Sequence, residues 1–81
     1  MLYQAQGSMQ PYVSALMSTI RLRVTELRKL RKWSQRELAK RAGVTHATIV
    51  ALEHGASPRL DTLAKLAAAF GVKVTRLLRE E

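Results

Sequence analysis

The residues of this sequence that are best suited to binding a ligand are its basic ones. Lysine and arginine total 14 against six acidic residues, which gives a net charge of +8. Nine of the basic residues are concentrated between positions 21 and 41, where only Glu26 and Glu37 oppose them. A cationic surface of this density favours a polyanionic partner and salt-sensitive association. Taken alone, the charge is equally compatible with a solvated surface that binds nothing.

Catalytic or metal chemistry finds little support beside this charge. The sequence has no cysteine, which excludes disulfides and thiolate metal sites and fits an intracellular setting. His46 and His54 fall on one predicted helix and could face the same way, but a metal site there would need further ligands. Neither histidine has an evident acid or nucleophile partner, and no glycine-rich loop could cradle a phosphate. We therefore expect no enzyme activity, no catalytic residue, no metal and no cofactor.

The elements that must position the basic residues are clearest between Ser34 and Gly55. Ser34 and Glu37 have the S-x-x-E spacing of a capping box, so a helix is predicted to begin there. Gly43 follows the last apolar residue of that helix, where helices commonly end in a left-handed conformation. Thr45 can then cap a second short helix. The stretch therefore predicts two helices joined by a tight turn.

The apolar residues of this stretch fit two helices that cross steeply beside their turn. Such a crossing favours a small residue on the first helix, a glycine in the turn and branched apolar residues on the second. Ala39, Gly43 and Ile49 occupy those places, with Leu38 and Leu52 beneath them. The alternative is an ordinary helical hairpin in a small bundle, which seldom combines all of these features in register.

A longer series of residues extends this pattern along the chain. The series comprises Gln35 to Ala39, Ala42 to Val44, Ile49, Leu52 to Gly55, Pro58 to Leu66 and Phe70 to Val72. In order and spacing it resembles the Cro/repressor-type helix-turn-helix regulators of phages and bacteria, and the likeness covers about residues 21 to 79. The resemblance implies a compact all-α, five-helix lambda-repressor-like domain. It also implies a cytoplasmic, nucleoid-associated regulator of transcription, acting as a repressor in a bacterium or phage.

On this basis the chain divides into residues 1–19, an N-terminal extension, and residues 20–81, the DNA-binding domain with its motif at 34–55. The extension carries no charged side chain. Its first ten residues are predicted to be a flexible tail, and Tyr12 to Ile20 have the apolar spacing of a helix that begins at Pro11. Such a stripe needs a partner, either on this domain or on a second copy of it.

The remaining segments are predicted to form the scaffold of the motif. Ile20, Leu22 and Val24 alternate with arginines, which predicts a short extended segment before a helix from about Val24 to Lys32. Related regulators often carry glycine or asparagine where Lys32 stands, so a tight or strained helix end is expected there. Trp33 is expected to plug the core. The later elements are predicted as a helix from Pro58 or Leu60 to Phe70, a short helix over Val72 to Leu78 and a frayed polar end at 79–81.

In this fold the second motif helix, here about residues 45–54, lies in the major groove while the first helix spans the groove. The positions of this helix expected to face base edges are Thr45, His46, Ala47, Thr48, Val50 and Ala51. The resemblance places base reading mainly at His46, Ala47, Val50 and Ala51. The strongest base contacts come from arginine, lysine, asparagine or glutamine, and none of these occurs between Val44 and His54. We therefore expect modest direct specificity that favours thymine methyls and DNA shape. The alternative is that this apolar side is buried against another protein.

Contacts to the DNA backbone are better supplied than contacts to bases. Gln35 stands at the start of the first motif helix, where its amide and the free N–H groups of the helix can bind a phosphate. The predicted phosphate-binding residues are Gln35, Arg36, Arg59, Arg28 and Lys32. For three further basic residues, phosphate binding and a merely solvated side chain are equally compatible with the sequence. These residues are Arg31, Lys40 and Arg41.

The expected partner is double-stranded DNA, bound by two copies of the chain. A domain of this size covers one half-site, so a homodimer is predicted, paired through the C-terminal helix at Val74 to Leu78 or through the N-terminal extension. No apolar run approaches the ~20 residues of a membrane span. The main alternative function is an antitoxin or accessory module of the same fold, which would bind a protein partner through its apolar surface.

Overall fold

The computed structural model describes residues 11–79, with side chains from residue 15 onward. Its helices are α1 (Pro11–Leu30), α2 (Gln35–Ala42), α3 (His46–Glu53), α4 (Leu60–Phe70) and α5 (Val74–Leu78). The predicted all-α, five-helix fold is confirmed, and residues 11–79 contain no strand. None of these helices has both the length and the apolar content needed to cross a bilayer. The tail predicted at residues 1–10 and the last two residues of the predicted polar end lie outside the described residues.

α1 is one continuous helix where the sequence predicted an extended segment before Val24, and that prediction is wrong. Ile20, Val24 and Leu27 are all buried, at a spacing of four and three residues that puts them on one face of a helix. Leu22, which the strand alternation would have put on the same side as Ile20 and Val24, is 57% exposed. The helical period prevails because it buries three apolar side chains together.

A single hydrophobic core joins all five helices. α1 packs against α3, α4 and α5, and α2 packs against α3 and α4. The buried core side chains are Ile20, Val24, Leu27, Leu38, Ala39, Ala42, Ile49, Leu52, Leu63, Leu66, Ala67, Phe70 and Leu77. α3 contributes only Ile49 and Leu52 to this core, so the side of α3 that faces away from the core remains available for other contacts.

The start of α2 and the turn between α2 and α3 have the helix caps that the sequence predicts. The Ser34 hydroxyl accepts a hydrogen bond from the Glu37 N–H at 3.0 Å. Gly43 ends α2 with φ 75° and donates its N–H to carbonyls of the last turn. Thr45 then accepts from the Thr48 N–H at 3.1 Å. Only the Ser34 half of the predicted capping box is formed, because the Glu37 carboxylate pairs instead with Arg41 at 2.7 Å.

Lys32 ends α1 in the left-handed conformation that glycine adopts most easily. Its φ is 60°, and it is the single non-glycine residue with positive φ among the described residues. Its N–H donates to the Lys29 carbonyl at 3.0 Å, and the Trp33 N–H donates to the Arg28 carbonyl at 3.1 Å. These two bonds form a Schellman motif. The helix end expected to be tight is therefore left-handed at a lysine, which costs backbone energy.

Trp33 lies between α1 and α2, and its side chain packs against the core. Its ring stacks on Phe70 at 5.7 Å between centroids, with 8° between the ring planes. The Arg41 guanidinium lies 4.5 Å from the centroid of the same ring. The predicted position of Trp33 against the core is confirmed, although its outer face is covered by arginine rather than by apolar residues.

Candidate nucleic-acid interface

The side of α3 that faces away from the core is mostly apolar. Ala47, Ala51 and His54 are exposed and Val50 is half-buried. These four residues are spaced i, i+3, i+4 and i+7, so they share one side of the helix. We call this set the reading face. His46, also half-buried, lies one residue before it at the start of α3.

The hydroxyl groups at the start of α3 are engaged with each other. Thr45 is exposed and Thr48 is half-buried, and their hydroxyl oxygens lie 2.8 Å apart. Thr45 also accepts the backbone N–H of Thr48. Both hydroxyls therefore serve first to cap the helix, and only their remaining hydrogen-bonding capacity is open to a ligand.

His54 is a residue of this surface that the sequence analysis considered only as a metal ligand or catalyst. Its Nδ1 lies 2.8 Å from the Val50 carbonyl oxygen, and because a carbonyl only accepts, Nδ1 carries the proton. Nε2 then has no partner among residues 15–79 and lies on the exposed end of α3. The i+7 spacing from Ala47 was the signal that could have identified it. No cluster of three metal-ligating side chains occurs in the described part of the chain.

Two of the predicted phosphate-binding residues are committed to an internal cluster. The Arg28 guanidinium forms two hydrogen bonds to the Glu53 carboxylate, at 2.7 and 3.0 Å, and a third to the Trp33 carbonyl at 2.9 Å. The Gln35 amide nitrogen donates to Glu53 at 3.0 Å. We call Arg28, Gln35 and Glu53 the ion-pair cluster. It joins the end of α1, the start of α2 and the end of α3.

The ion-pair cluster is largely withdrawn from solvent. The side chains of Arg28 and Glu53 are 13% and 7% exposed. Burial alone would raise the pKa of Glu53, but hydrogen bonds from Arg28 and Gln35 and the nearby positive charges of Arg28 and Lys29 outweigh burial and hold that pKa below its ordinary value. Glu53 is thus an anion at neutral pH, and it neutralises Arg28.

Three other predicted phosphate-binding residues have the opposite character. Lys32, Arg36 and Arg59 are exposed, and none of their side chains has a hydrogen-bond or ion-pair partner among the described residues. We call these three residues the cationic flank. Arg36 follows Gln35 at the start of α2, and Gln35 contacts the last residue of α3. Arg59 immediately precedes α4. Arg36 and Arg59 are therefore held near α3 without being neutralised.

A surface groove brings Arg59 beside the reading face. The groove has a volume of about 460 Å³ and runs between α3, the α3–α4 loop and the first turns of α4. Thr45, Thr48 and Ala51 line its α3 side, while Arg59 and Lys65 line its α4 side together with Asp61. Lys65 did not stand out in the sequence, because it is one of many lysines at a helical surface position. The groove identifies it as a second cation beside α3.

Comparisons with known proteins agree on the family. Residues 24–77 match the sequence profile of the helix-turn-helix family. The chain is 43% identical over 56 residues to an uncharacterized HTH-type transcriptional regulator of Archaeoglobus fulgidus, which covers 68% of this chain and 79% of the relative. Its fold matches the crystal structure of the hypothetical transcription factor NHTF from Neisseria, with a TM-score of 0.77 and 28% identity over 93% of this chain and 87% of that one. The chain therefore belongs to the Cro/C1-type helix-turn-helix family of DNA-binding transcriptional regulators.

Proposed function

We propose that this protein is a repressor that binds a specific double-stranded DNA sequence with α3 in the major groove. The observation that carries the proposal is the contrast on α3 itself. One side of α3 is anchored by Ile49, Leu52 and the buried Glu53, while the reading face is exposed and lies beside unpaired cations. An α-helix with its side chains is about 10–12 Å in diameter, which suits the ~12 Å width of the major groove.

Base reading is assigned to the start of α3 and to its reading face. His46 offers ring nitrogens to a base edge, and Ala47, Val50 and Ala51 offer apolar contact. The Thr45 hydroxyl, which caps α3, keeps one hydrogen-bonding site, and the Thr48 hydroxyl, which is bonded only to Thr45, keeps two. These sites suit a base or a phosphate near the helix start. His54 adds a nitrogen acceptor at the far end of the same face.

Phosphate binding is assigned to the cationic flank. Lys32 and Arg36 lie near the start of α2, and Arg59 lies at the start of α4, so they can contact the backbone on either side of α3. Gln35 keeps one amide N–H beyond the one it gives to Glu53, and that N–H can meet a phosphate. Arg28 supports this arrangement from inside, because three of its five N–H groups are bonded to Glu53 and Trp33.

Two copies are proposed to bind adjacent half-sites as a homodimer. Of the two predicted pairing surfaces, the N-terminal extension is favoured by exposed Leu16, and exposed Leu22 continues this apolar surface along α1 beyond the extension. Leu77 of α5 is buried, and Val74 and Leu78 pack against the core of their own domain. A twofold increase in mass in solution, abolished by Leu22→Glu and kept in Leu78→Ala, is the expected result.

The decisive experiment is to select bound duplexes from a random pool, followed by titration of fluorescent duplexes. Enrichment of a defined motif with nanomolar to micromolar affinity that falls with salt is expected. His46→Ala should change the preferred sequence, whereas Arg36→Ala should weaken all sequences alike. Equal, sequence-blind losses in both variants would contradict these roles. Absence of retained DNA at low salt, together with a stoichiometric protein partner, would favour the antitoxin or accessory module instead.

A further inference from the structure

The reading face is chemically unusual for a surface that reads DNA. We propose that it reads the C5-methyl groups of pyrimidines in the major groove, so that thymine and 5-methylcytosine are accepted at the same positions. This inference rests on the proposed function and specifies the chemical feature by which the DNA is recognised. It predicts that the binding site of this protein is defined by the arrangement of methyl groups more than by hydrogen bonds to base edges.

The first argument is the supply of hydrogen bonds on α3. No arginine, lysine, asparagine or glutamine occurs from His46 to Glu53, and these side chains make the bidentate base contacts. The Thr45 and Thr48 hydroxyls are bonded to each other, and His54 Nδ1 is bonded to the Val50 carbonyl. The polar groups that stay open on this side of α3 are the His46 ring, His54 Nε2 and the remaining capacity of the two hydroxyls, and none of them is one of the side chains that make bidentate base contacts.

The second argument is that apolar groups remain exposed where a base edge would lie. Ala47 and Ala51 are exposed one helical turn apart, and the branched side chain of Val50 stands half-buried between them. The described side chains leave this surface open, while cations that can hold the DNA backbone flank it. The only apolar group that B-DNA presents in the major groove is the thymine C5-methyl. Contact between the two removes apolar surface from water on both sides.

The third argument concerns cytosine. Thymine differs from cytosine in the major groove by the methyl group and by an O4 acceptor in place of an N4 donor. A hydroxyl can donate to O4 or accept from N4, so the Thr45 and Thr48 hydroxyls do not by themselves distinguish thymine from cytosine. A methyl group added at C5 of cytosine should therefore restore most of the contact. Each methyl that is buried against this face should strengthen binding about fourfold, the value for one buried methylene group.

The test uses the best duplex obtained from an unmethylated random pool and the full chain. Each thymine is replaced singly by deoxyuridine, which removes only the methyl group, and each is separately replaced by cytosine or by 5-methylcytosine with guanine opposite. Affinity is measured by fluorescence anisotropy at one salt concentration. We expect about fourfold weaker binding for uracil at contacted positions, at least as large a loss for cytosine, and recovery with 5-methylcytosine. Thymines outside the selected site provide the matched control and should tolerate uracil.

A protein variant separates methyl contact from an effect of uracil on DNA shape. Ala51→Gln replaces an apolar contact by an amide that can bond adenine, so the cost of uracil should disappear at the position that Ala51 contacts and persist at the others. Uracil tolerated everywhere in the site, while cytosine remains costly, would overturn the inference and leave sequence-specific binding intact. Failure to retain any duplex would remove the proposed function itself, and this inference with it.

Discussion

Arg28 and Arg59 are both arginines of one small domain, but Arg28 is paired inside the protein and Arg59 is exposed to a ligand. Arg28 belongs to the ion-pair cluster, where its side chain is 13% exposed and bonded to Glu53. Arg59 belongs to the cationic flank, where it is exposed and has no partner among the described residues. The difference teaches that basic charge in a DNA-binding domain does not by itself indicate a DNA contact. Burial and internal pairing decide which cations remain available.

The two regions also depend on each other. Glu53 is the last residue of α3, and its bonds to Arg28 and Gln35 tie that end of the helix to α1 and to the start of α2. These bonds thereby fix the position of α3, which carries the reading face, relative to Gln35, the neighbour of Arg36. Preorganised contacts of this kind lower the ordering cost that is paid on binding. In the proposed complex, the ion-pair cluster contributes to DNA binding by fixing geometry, whereas the cationic flank contributes by contact.

The largest expected effect is on folding, from breaking the ion-pair cluster on one side. Glu53→Ala leaves the Arg28 guanidinium nearly buried without its counter-charge, which costs about 3–5 kcal/mol. The free energy of unfolding, measured by urea titration, should fall by that amount. A loss below about 1 kcal/mol, typical of surface ion pairs, would show that Arg28 and Glu53 interact as exposed residues do.

The matched control is the double variant Arg28→Met, Glu53→Leu, which replaces both charges by apolar groups of similar size. Such replacements of a whole buried pair are often close to neutral. The double variant should therefore be more stable than either single variant. If the double variant loses the sum of the two single losses, the pair is not coupled, and the distinction between the two regions fails.

A smaller part of the same energy should depend on pH. The folded-state pKa of Glu53 is lowered, so its contribution is fully present above the ordinary glutamate pKa of about 4.3 and is lost as the pH falls through the folded-state value. The difference in unfolding free energy between the wild type and Glu53→Gln should shrink on acidification from pH 7 to pH 3. Other carboxyl groups occur in both proteins and cancel. A difference that stays constant over this range would contradict the assignment.

The third prediction tests the cationic flank. Arg59→Ala removes one charged hydrogen bond to phosphate, of about 1.5–3 kcal/mol, so affinity should fall at least about tenfold for all sequences. The salt dependence of log K should become shallower by about one unit. The unfolding free energy should change little, because surface substitutions usually alter it by less than about 0.5 kcal/mol.

Lys73→Ala is the control for Arg59→Ala, since it removes the same charge from an exposed residue that also stands before a helix without a side-chain cap bond. It should leave affinity and salt dependence nearly unchanged. Equal losses in the two variants would mean that net charge alone, and not the position of Arg59, drives binding.

The features that the sequence could predict are those that depend on residues close to each other in the chain. The helix caps at Ser34 and Thr45 and the turn at Gly43 depend on residues within three positions, and all are confirmed. The core residues of α2 to α5 follow from helical spacing, with one exception. The spacing predicts Leu60 on the inward stripe of α4 with Leu63, and that prediction is wrong, because Leu60 at the first turn of α4 is 76% exposed. α1 was misjudged because Ile20, Leu22 and Val24 fit both periods, and only tertiary burial decides between them. The burial of Ile20 and Val24 with Leu27 reveals the helix.

The parts of the site that the sequence could not predict depend on contacts between distant residues. Arg28 and Glu53 are 25 residues apart in sequence, and nothing local distinguishes Arg28 from neighbouring cations that stay exposed. Lys65 is recognised only through the groove that it shares with Arg59. Residue type thus predicted a cationic interface, but which cations are free depends on the tertiary fold.

The smallest predicted effect concerns Lys32, whose backbone serves the fold and whose side chain belongs to the cationic flank. An L-residue in the left-handed conformation costs about 1–2 kcal/mol, so Lys32→Gly should raise the unfolding free energy by roughly 1 kcal/mol. The same change removes a phosphate contact, so DNA affinity should fall while stability rises. Gly71→Lys is the inverse control, because Gly71 ends α4 with φ 73° and open space where a Cβ would stand. It should lose about what Lys32→Gly gains. If DNA affinity did not fall while the unfolding free energy rose in Lys32→Gly, the Lys32 side chain would make no phosphate contact. Lys32 would then not belong to the cationic flank.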